Sequence, residues 1–226
     1  MEKIKDALVI KKYTISWLGN FQISETVLVA WMVIGILLVA ALVFRLLVFP
    51  RFKQKPKGLQ NFIELIVEGA YNFAVNRVGK FGEGAGAYVL TIGAFLITAG
   101  LVEMLGFKPP MANIGFTGTL AIMSFILINY YGIKKKGLIG RIKSWGRPRA
   151  FIAPMRFIVE AVLPVSLACR LFGNVLGGLI VMDLIYAVMA YVAPAFLAIY
   201  FNLFHIMIQS YIFLNLTLTF AGEVME

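Results

Sequence analysis

The sequence predicts an all-α integral membrane protein, with about five membrane-embedded helices and one interfacial amphipathic helix, in a single membrane domain. Of its 226 residues, 61% are hydrophobic and only 14% are charged, and long uncharged runs recur along residues 1–226. The net charge is +10, but lysine and arginine concentrate in two loops between apolar runs. That distribution is typical of cytoplasmic loops and argues against a nucleic-acid partner.

The first half of the chain alternates polar segments with apolar spans. A mixed polar segment, residues 1–23, precedes a first span at 25–49, which is too long for a signal-peptide core. Residues 58–80 carry apolar side chains on one helical face and polar side chains on the other, so we expect an amphipathic helix in the membrane interface. Two further spans are expected at 86–105 and 114–133.

The second half begins with a basic loop, residues 134–149, which we place in the cytoplasm. The apolar segments 151–192 and 194–222 follow, and as helices they would measure about 60 Å and about 43 Å. The hydrocarbon core is only ~30 Å thick, so we expect a steeply tilted hairpin rather than a break at Pro164, held by a partner surface. This topology puts the N-terminus outside and the C-terminus in the cytoplasm.

Arg170 is a charge in the middle of the apolar segment 151–192. A guanidinium is costly to hold in a bilayer and does not lose its proton, so such a residue is a functional-site hypothesis by default. The residues three and four positions away are not acidic: Ser166, Leu167, Gly173 and Asn174. We therefore expect the balancing charge to come from another helix or from another protein.

Small residues share the helical face of Arg170. Ser166, Arg170, Gly173 and Gly177 follow one another at spacings of four, three and four residues. Small side chains allow close approach of a second helix, which favours a docking track for a partner helix. Packing within this chain is the alternative.

Other polar residues of the last two segments fall into two groups. Asn202, His205 and Gln209 share one face, which either lines water or bonds to a neighbouring helix. Asp183 suits a proton relay, with an interfacial acid as the alternative, and Glu160 has Arg156 four residues before it as a local ion-pair partner.

Outside these segments, we expect Glu103, next to the turn after the second span, to be solvated. One histidine and one cysteine exclude a structural metal site, and no nucleotide loop or nucleophile triad appears, so we predict neither a cofactor nor a metal.

Several motifs together resemble the a subunit of F-type ATP synthases, over roughly residues 50–222. The most specific is Arg170-Leu-Phe-Gly-Asn174, preceded by Pro164-Val-Ser-Leu167 and followed by Gly178. Gln209 with Phe213 is similar to that family's last helix, and Glu160 matches a family acid. Asn61, Phe62, Glu64 and Glu68 resemble its interfacial helix.

The resemblance implies a stator subunit that is not an enzyme by itself. Arg170 would face a ring of c subunits and separate two offset half-channels, with Asn174 and Gln209 flanking it and Glu160 bordering the cytoplasmic path. The implied partners are the c ring, the b-subunit peripheral stalk, the whole F1Fo complex and membrane lipid. The glycines that would pack against the ring are Gly173, Gly177 and Gly178.

The sequence departs from the family pattern along the outer path. Leu179 stands where many relatives carry an acid, with Asp183 one turn on, and Asn202 stands at a position that is often Glu or His. We therefore expect an outer half-channel lined by Asp183, Asn202, His205 and Asn113, and an inner one near Glu160 and Ser166.

The coupling ion is either H⁺ or Na⁺. The alternative function is a secondary transporter in which Arg170 binds an anionic substrate. Inverted repeats would favour that alternative, and the sequence shows none.

Overall fold

A computed structural model describes residues 12–15, 21–52, 58–79, 83–105, 107–145, 153–188 and 192–225. These residues are almost entirely helical, which confirms the predicted all-α membrane protein. Five of their helices are long and apolar enough to cross a membrane. These candidate spans are Glu25–Val48, Gly84–Met104, Ile114–Gly137, Ile158–Met182 and Leu203–Met225.

A small hairpin that the sequence did not indicate precedes the first helix. Strand β1 (Lys12–Ile15) pairs antiparallel with β2 (Phe21–Ser24). Helix α1 (Glu25–Val43) follows directly and continues through a π-helical turn, Phe44–Val48, and a 3-10 turn, Phe49–Arg51. The first span therefore continues as a helix to Val48 and ends in a narrower 3-10 turn that contains Pro50.

Helix α2 (Leu59–Val78) is the amphipathic segment, and α3 (Glu83–Met104) is the next span. Gly58 and Gly79 flank α2 with φ values of 59° and 71°, a backbone conformation that glycine adopts at little cost. These two glycines let the chain turn sharply into and out of α2. The helix packs against α3.

A 3-10 turn, Pro110–Ala112, leads into α4 (Ile114–Trp145). The side chain of Asn113 caps α4, because its Oδ1 accepts the Gly115 N–H at 2.9 Å. Gly137 has φ 71° and ψ 167°, so α4 consists of two helical pieces joined by a kink. The kink lies just after Lys134–Lys136, where the apolar span meets the basic loop.

The last two helices are long and uninterrupted. Helix α5 (Ala153–Val188) has 36 residues and α6 (Val192–Met225) has 34. At ~1.5 Å per residue they measure about 54 Å and about 51 Å, well beyond the ~30 Å hydrocarbon core. Pro164 lies inside α5 without ending it, so the break that we considered at this residue is not present.

Helix α6 is the centre of the bundle and packs against α2, α3, α4 and α5. The apolar core lies between these helices, and its large, fully buried side chains come from four of them: Leu96, Ile128, Leu171, Phe213 and Leu218. Because α5 contributes only one face to this core, its opposite face points out of the bundle.

Candidate functional site

Arg170 lies on the outward face of α5. Ala168 and Val175 are buried, 9% and 6% exposed, and they hold the opposite side of the helix in the core. The Arg170 side chain is consequently exposed, as are Ser166 and Cys169 next to it. Among the residues that the structure describes, we find no ion-pair partner for this guanidinium.

The glycines around Arg170 are not needed for packing within this chain. A Cβ atom added at Gly173, Gly177 or Gly178 would meet no atom within 4 Å. By contrast, a Cβ at Gly100 would collide with a neighbouring helix. Gly173 and Gly177, both exposed on the face of Arg170, therefore leave an open track along α5, which favours the docking interpretation over packing within the chain.

A polar pair joins α5 to α6 one helical turn beyond Arg170. The Nδ2 of Asn174 donates a hydrogen bond to the Oε1 of Gln209. Gln209 is only 5% exposed, so this bond satisfies a buried amide. The expectation that Asn174 and Gln209 flank Arg170 is compatible with this placement, because the pair ties both helices together beside the guanidinium.

A cavity of about 210 Å³ opens further along α5, beyond the Asn174–Gln209 pair. An acidic side chain and an imidazole from two other helices line it together with the glycine-bearing segment of α5. The lining residues are Glu103 from α3, His205 from α6, and Val175, Gly177, Gly178, Val181 and Met182 from α5. Glu103 lies next to the last residue of α3, and His205 lies in the N-terminal half of α6.

His205 brings an unsatisfied polar atom to this cavity. Its Nε2 atom is buried and has no hydrogen-bond partner among the described residues. Leaving a buried donor or acceptor without a partner costs about 1–3 kcal/mol. A water molecule or a proton-carrying group in the cavity would remove that cost.

Glu160 lies on the other side of Arg170. It precedes Arg170 by ten residues on α5, which is about 15 Å along the helix axis, and its side chain is half-buried. The glycines of the cavity begin at Gly177, about 10 Å beyond Arg170 in the opposite direction. The arginine is thus placed between an acid at one end of the bundle and a lined cavity at the other.

The family model of the ATP synthase A chain matches residues 28–222. The chain belongs to this family. It is 33% identical to ATP synthase subunit a 1 of Pelobacter propionicus, in an alignment that covers 90% of this chain and 88% of the relative. It is 31% identical to ATP synthase subunit a of Moorella thermoacetica, with 95% and 96% covered.

A third relative is ATP synthase subunit a 2 of a Picosynechococcus species, 31% identical with 89% of this chain and 85% of the relative covered. The predicted resemblance is therefore confirmed over most of the chain. As an ATP synthase A chain, the protein is a multi-pass membrane subunit of the F1Fo complex and is not itself catalytic.

Glu103 is the residue of this A chain that sequence reasoning missed. We expected it to be solvated because it lies next to a polar turn, but its side chain is half-buried and lines the cavity. A signal was present, because Glu103 is the single charged residue in the predicted span 86–105. The same criterion, a lone charge in an apolar span, singled out Arg170.

The structure describes the side chain of only one of three further residues expected on the outer path of the A chain. Both polar atoms of the Asn113 side chain bond to residues of this chain. The Oδ1 caps α4, and the Nδ2 donates a hydrogen bond to the Thr26 Oγ1 at 3.2 Å. Asn113 is not among the residues that line the cavity described above. The side chains of Asp183 and Asn202 lie outside the part of the chain that the structure describes.

Proposed function

We propose that this chain is the ion-translocating stator subunit of a rotary F-type ATP synthase, in which two offset half-channels carry H⁺ or Na⁺ to and from carboxylates on a c ring. The observation that carries the proposal is the placement of Arg170. It points outward from a track of glycines, with a cavity that contains Glu103 and His205 on one side and Glu160 on the other.

The cavity between α3, α5 and α6 is the outer half-channel. By the positive-inside topology, its end of the bundle faces the outside, since α3 runs outward from the interfacial helix. Glu103 and His205 pass the ion inward, and Asp183 and Asn202 remain proposed members of this path. Capping of α4 by Asn113 favours a structural role for that residue over a place on the path.

Arg170 pairs with the ring carboxylate after that carboxylate has released its ion to the inner path and before it takes up another from the outer path. A unit charge at ~4 Å interacts with the guanidinium by about 4 kcal/mol at an effective dielectric of ~20. This attraction favours the ionised carboxylate and therefore ion release, yet it is small enough for rotation to break. The same positive charge repels a cation that would otherwise pass directly from the outer to the inner path.

The inner half-channel lies near Glu160 and Ser166. A carboxylate that has travelled almost a full turn with the ring reaches this side of Arg170 and releases its ion toward the cytoplasm. Glu160 is half-buried and Ser166 is exposed on the same stretch of α5, which supports a water path beside both residues. Because Glu160 and the cavity are offset along α5, an ion passes from the cavity to the Glu160 side only while it is bound to a carboxylate of the rotating ring.

The glycine track is the surface that receives the c ring. Gly173, Gly177 and Gly178 leave room for a ring helix at backbone distance, and the length of α5 and α6 gives a long tilted wall against the ring. The b-subunit peripheral stalk holds the chain against rotation from another side. The N-terminus lies outside and the C-terminus in the cytoplasm.

The test of this proposal is the substitution Arg170→Ala in the assembled complex. We expect ATP synthesis driven by an ion gradient in membrane vesicles to be abolished, because nothing then separates the two paths or promotes ion release. Arg45→Ala is the matched control, since Arg45 is an exposed arginine of the first span that lies away from the cavity. Near-normal gradient-driven synthesis by Arg170→Ala would overturn the proposal.

A further inference from the structure

Gly100 marks a very close approach of α3 to α6. A Cβ atom built on Gly100 would lie 2.5 Å from Cγ1, 2.8 Å from Cγ2 and 2.9 Å from Cδ1 of Ile206. Carbon atoms that are not bonded pack at about 3.5–4.0 Å, so this approach is possible only for a residue without a side chain. Both residues are buried, Ile206 with 6% of its surface exposed.

This contact lies directly beside the two polar residues of the cavity. Gly100 precedes Glu103 by three residues on α3, so the two share a face one turn apart. Ile206 follows His205 immediately on α6. A larger distance between Gly100 and Ile206 would therefore also increase the distance between Glu103 and His205.

We propose that Gly100 is a positioning residue for ion translocation, because its contact with Ile206 sets the separation of Glu103 and His205 across the cavity. The proposal rests on the role of that cavity as the outer half-channel. It assigns to Gly100 no contact with the ion. Its effect passes through the spacing of the two helices.

The structure leaves little freedom to absorb a methyl group at this position. Isoleucine is branched at Cβ and in a helix is held in one χ1 rotamer in about 90% of cases, so Cγ1 and Cγ2 cannot both turn away. Leu96 and Ala99, 2% and 0% exposed, fill the neighbouring space on α3. Restoring ordinary contact would require α3 and α6 to separate by about 1 Å near the cavity.

Gly93 provides a matched control on the same pair of helices. It lies seven residues before Gly100 on α3 and is also buried. A Cβ there would meet only the Leu214 Cδ1, at 3.3 Å, which is the far end of a flexible side chain on α6. Gly93→Ala therefore adds the same methyl group at the same interface without forcing the helices apart.

The test measures passive ion conduction through the membrane sector of whole complexes, after the soluble head has been stripped from vesicles. We expect Gly100→Ala to lower conduction at least about tenfold, since a misplacement of ~1 Å costs up to about 100-fold where geometry matters. Gly93→Ala should stay within about twofold of the parent chain. Gly100→Ala combined with Ile206→Ala, which removes all three clashing carbons, should recover most of the conduction.

A distance measurement separates positioning from a general packing defect. Spin labels at Glu103→Cys and His205→Cys, in a Cys169→Ser background, report the spacing across the cavity. We expect Gly100→Ala to lengthen this distance, Ile206→Ala to shorten it again, and Gly93→Ala to leave it unchanged. If Gly100→Ala alone does not assemble into the complex, the test uses Gly100→Ala combined with Ile206→Ala. The proposal then requires that this double variant assembles and conducts ions.

Unchanged conduction in assembled Gly100→Ala, or a double variant that stays blocked, would overturn the role of Gly100. A separate result would show that the cavity is not the outer half-channel. If Glu103→Gln and His205→Ala both conduct normally, the cavity is not the outer path, whatever Gly100→Ala does.

Discussion

At the scale of single residues, the protein places few charges inside its membrane helices, and each described one has a distinct environment. Arg170 is exposed on an outward helix face, whereas Glu103 is half-buried beside His205. A carboxylate enclosed by apolar helices is costly when it is ionised, so such a residue is retained where water or an ion reaches it. The cavity of about 210 Å³ that Glu103 lines has room for water or an ion.

We predict that Glu103→Gln lowers passive ion conduction through the membrane sector several-fold. The amide keeps the size of the side chain but cannot gain or lose a proton or balance a cation's charge. Glu68→Gln is the matched control, because Glu68 is exposed on the interfacial helix α2 and away from the cavity. Equal conduction of both variants, measured in stripped vesicles, would remove Glu103 from the path.

At the scale of elements, the amphipathic helix α2 is fastened to the last helix α6 by its C-terminal half. Arg77 donates from Nη1 to the Thr219 Oγ1 at 3.0 Å, and the rings of Phe73 and Tyr211 lie 5.8 Å apart. Gly222 completes this α2–α6 seam, since a Cβ there would collide with the backbone carbonyl of Arg77. A surface helix is thereby held at a fixed place on the bundle.

Substitution of Gly222 by alanine tests this seam. Its methyl group would press on backbone, which cannot rotate away, so we expect a loss of about 1–3 kcal/mol of stability and a lower thermal midpoint. Gly69→Ala on α2 is the control, because a Cβ there meets nothing within 4 Å and alanine is the better helix former. A midpoint for Gly222→Ala at or above that of Gly69→Ala would contradict this account of the seam.

At the scale of the whole molecule, α5 is the helix whose functional face this chain leaves uncovered. Leu167 and Leu171 secure one side to the bundle, while the side with Arg170 and Gly173 has no covering helix among the described residues. The long apolar α5 and α6 extend beyond the thickness of a hydrocarbon core, which suits a wall along a large partner.

The single cysteine of the chain, Cys169, makes this arrangement testable without a new residue beside the site. We expect a photo-activated cross-linker on the exposed Cys169 thiol to capture the small ring subunit in the intact complex. The control moves the thiol to the exposed position 38 of α1, as Cys169→Ser with Leu38→Cys. Absence of a ring adduct at Cys169, or an equal yield from position 38, would place the ring on a different face.

The number and type of helices, the surface helix and the family were all predicted from the sequence, because they depend on properties of local segments. Apolar run length, the period of polar residues and the Arg170 motif are read without knowing which helices touch. We expected no break at Pro164, and α5 continues through that residue, although a proline inside a helix removes one backbone hydrogen bond.

What the sequence by itself determined is therefore a helical membrane protein with a lone arginine among glycines. Only the tertiary structure decided which distant groups meet: Glu103 and His205 at one cavity, Asn174 with Gln209, and Gly100 against Ile206. The physical reason is that close approach of two helices depends on side-chain volume along both of them at once. No local pattern in one segment contains that information.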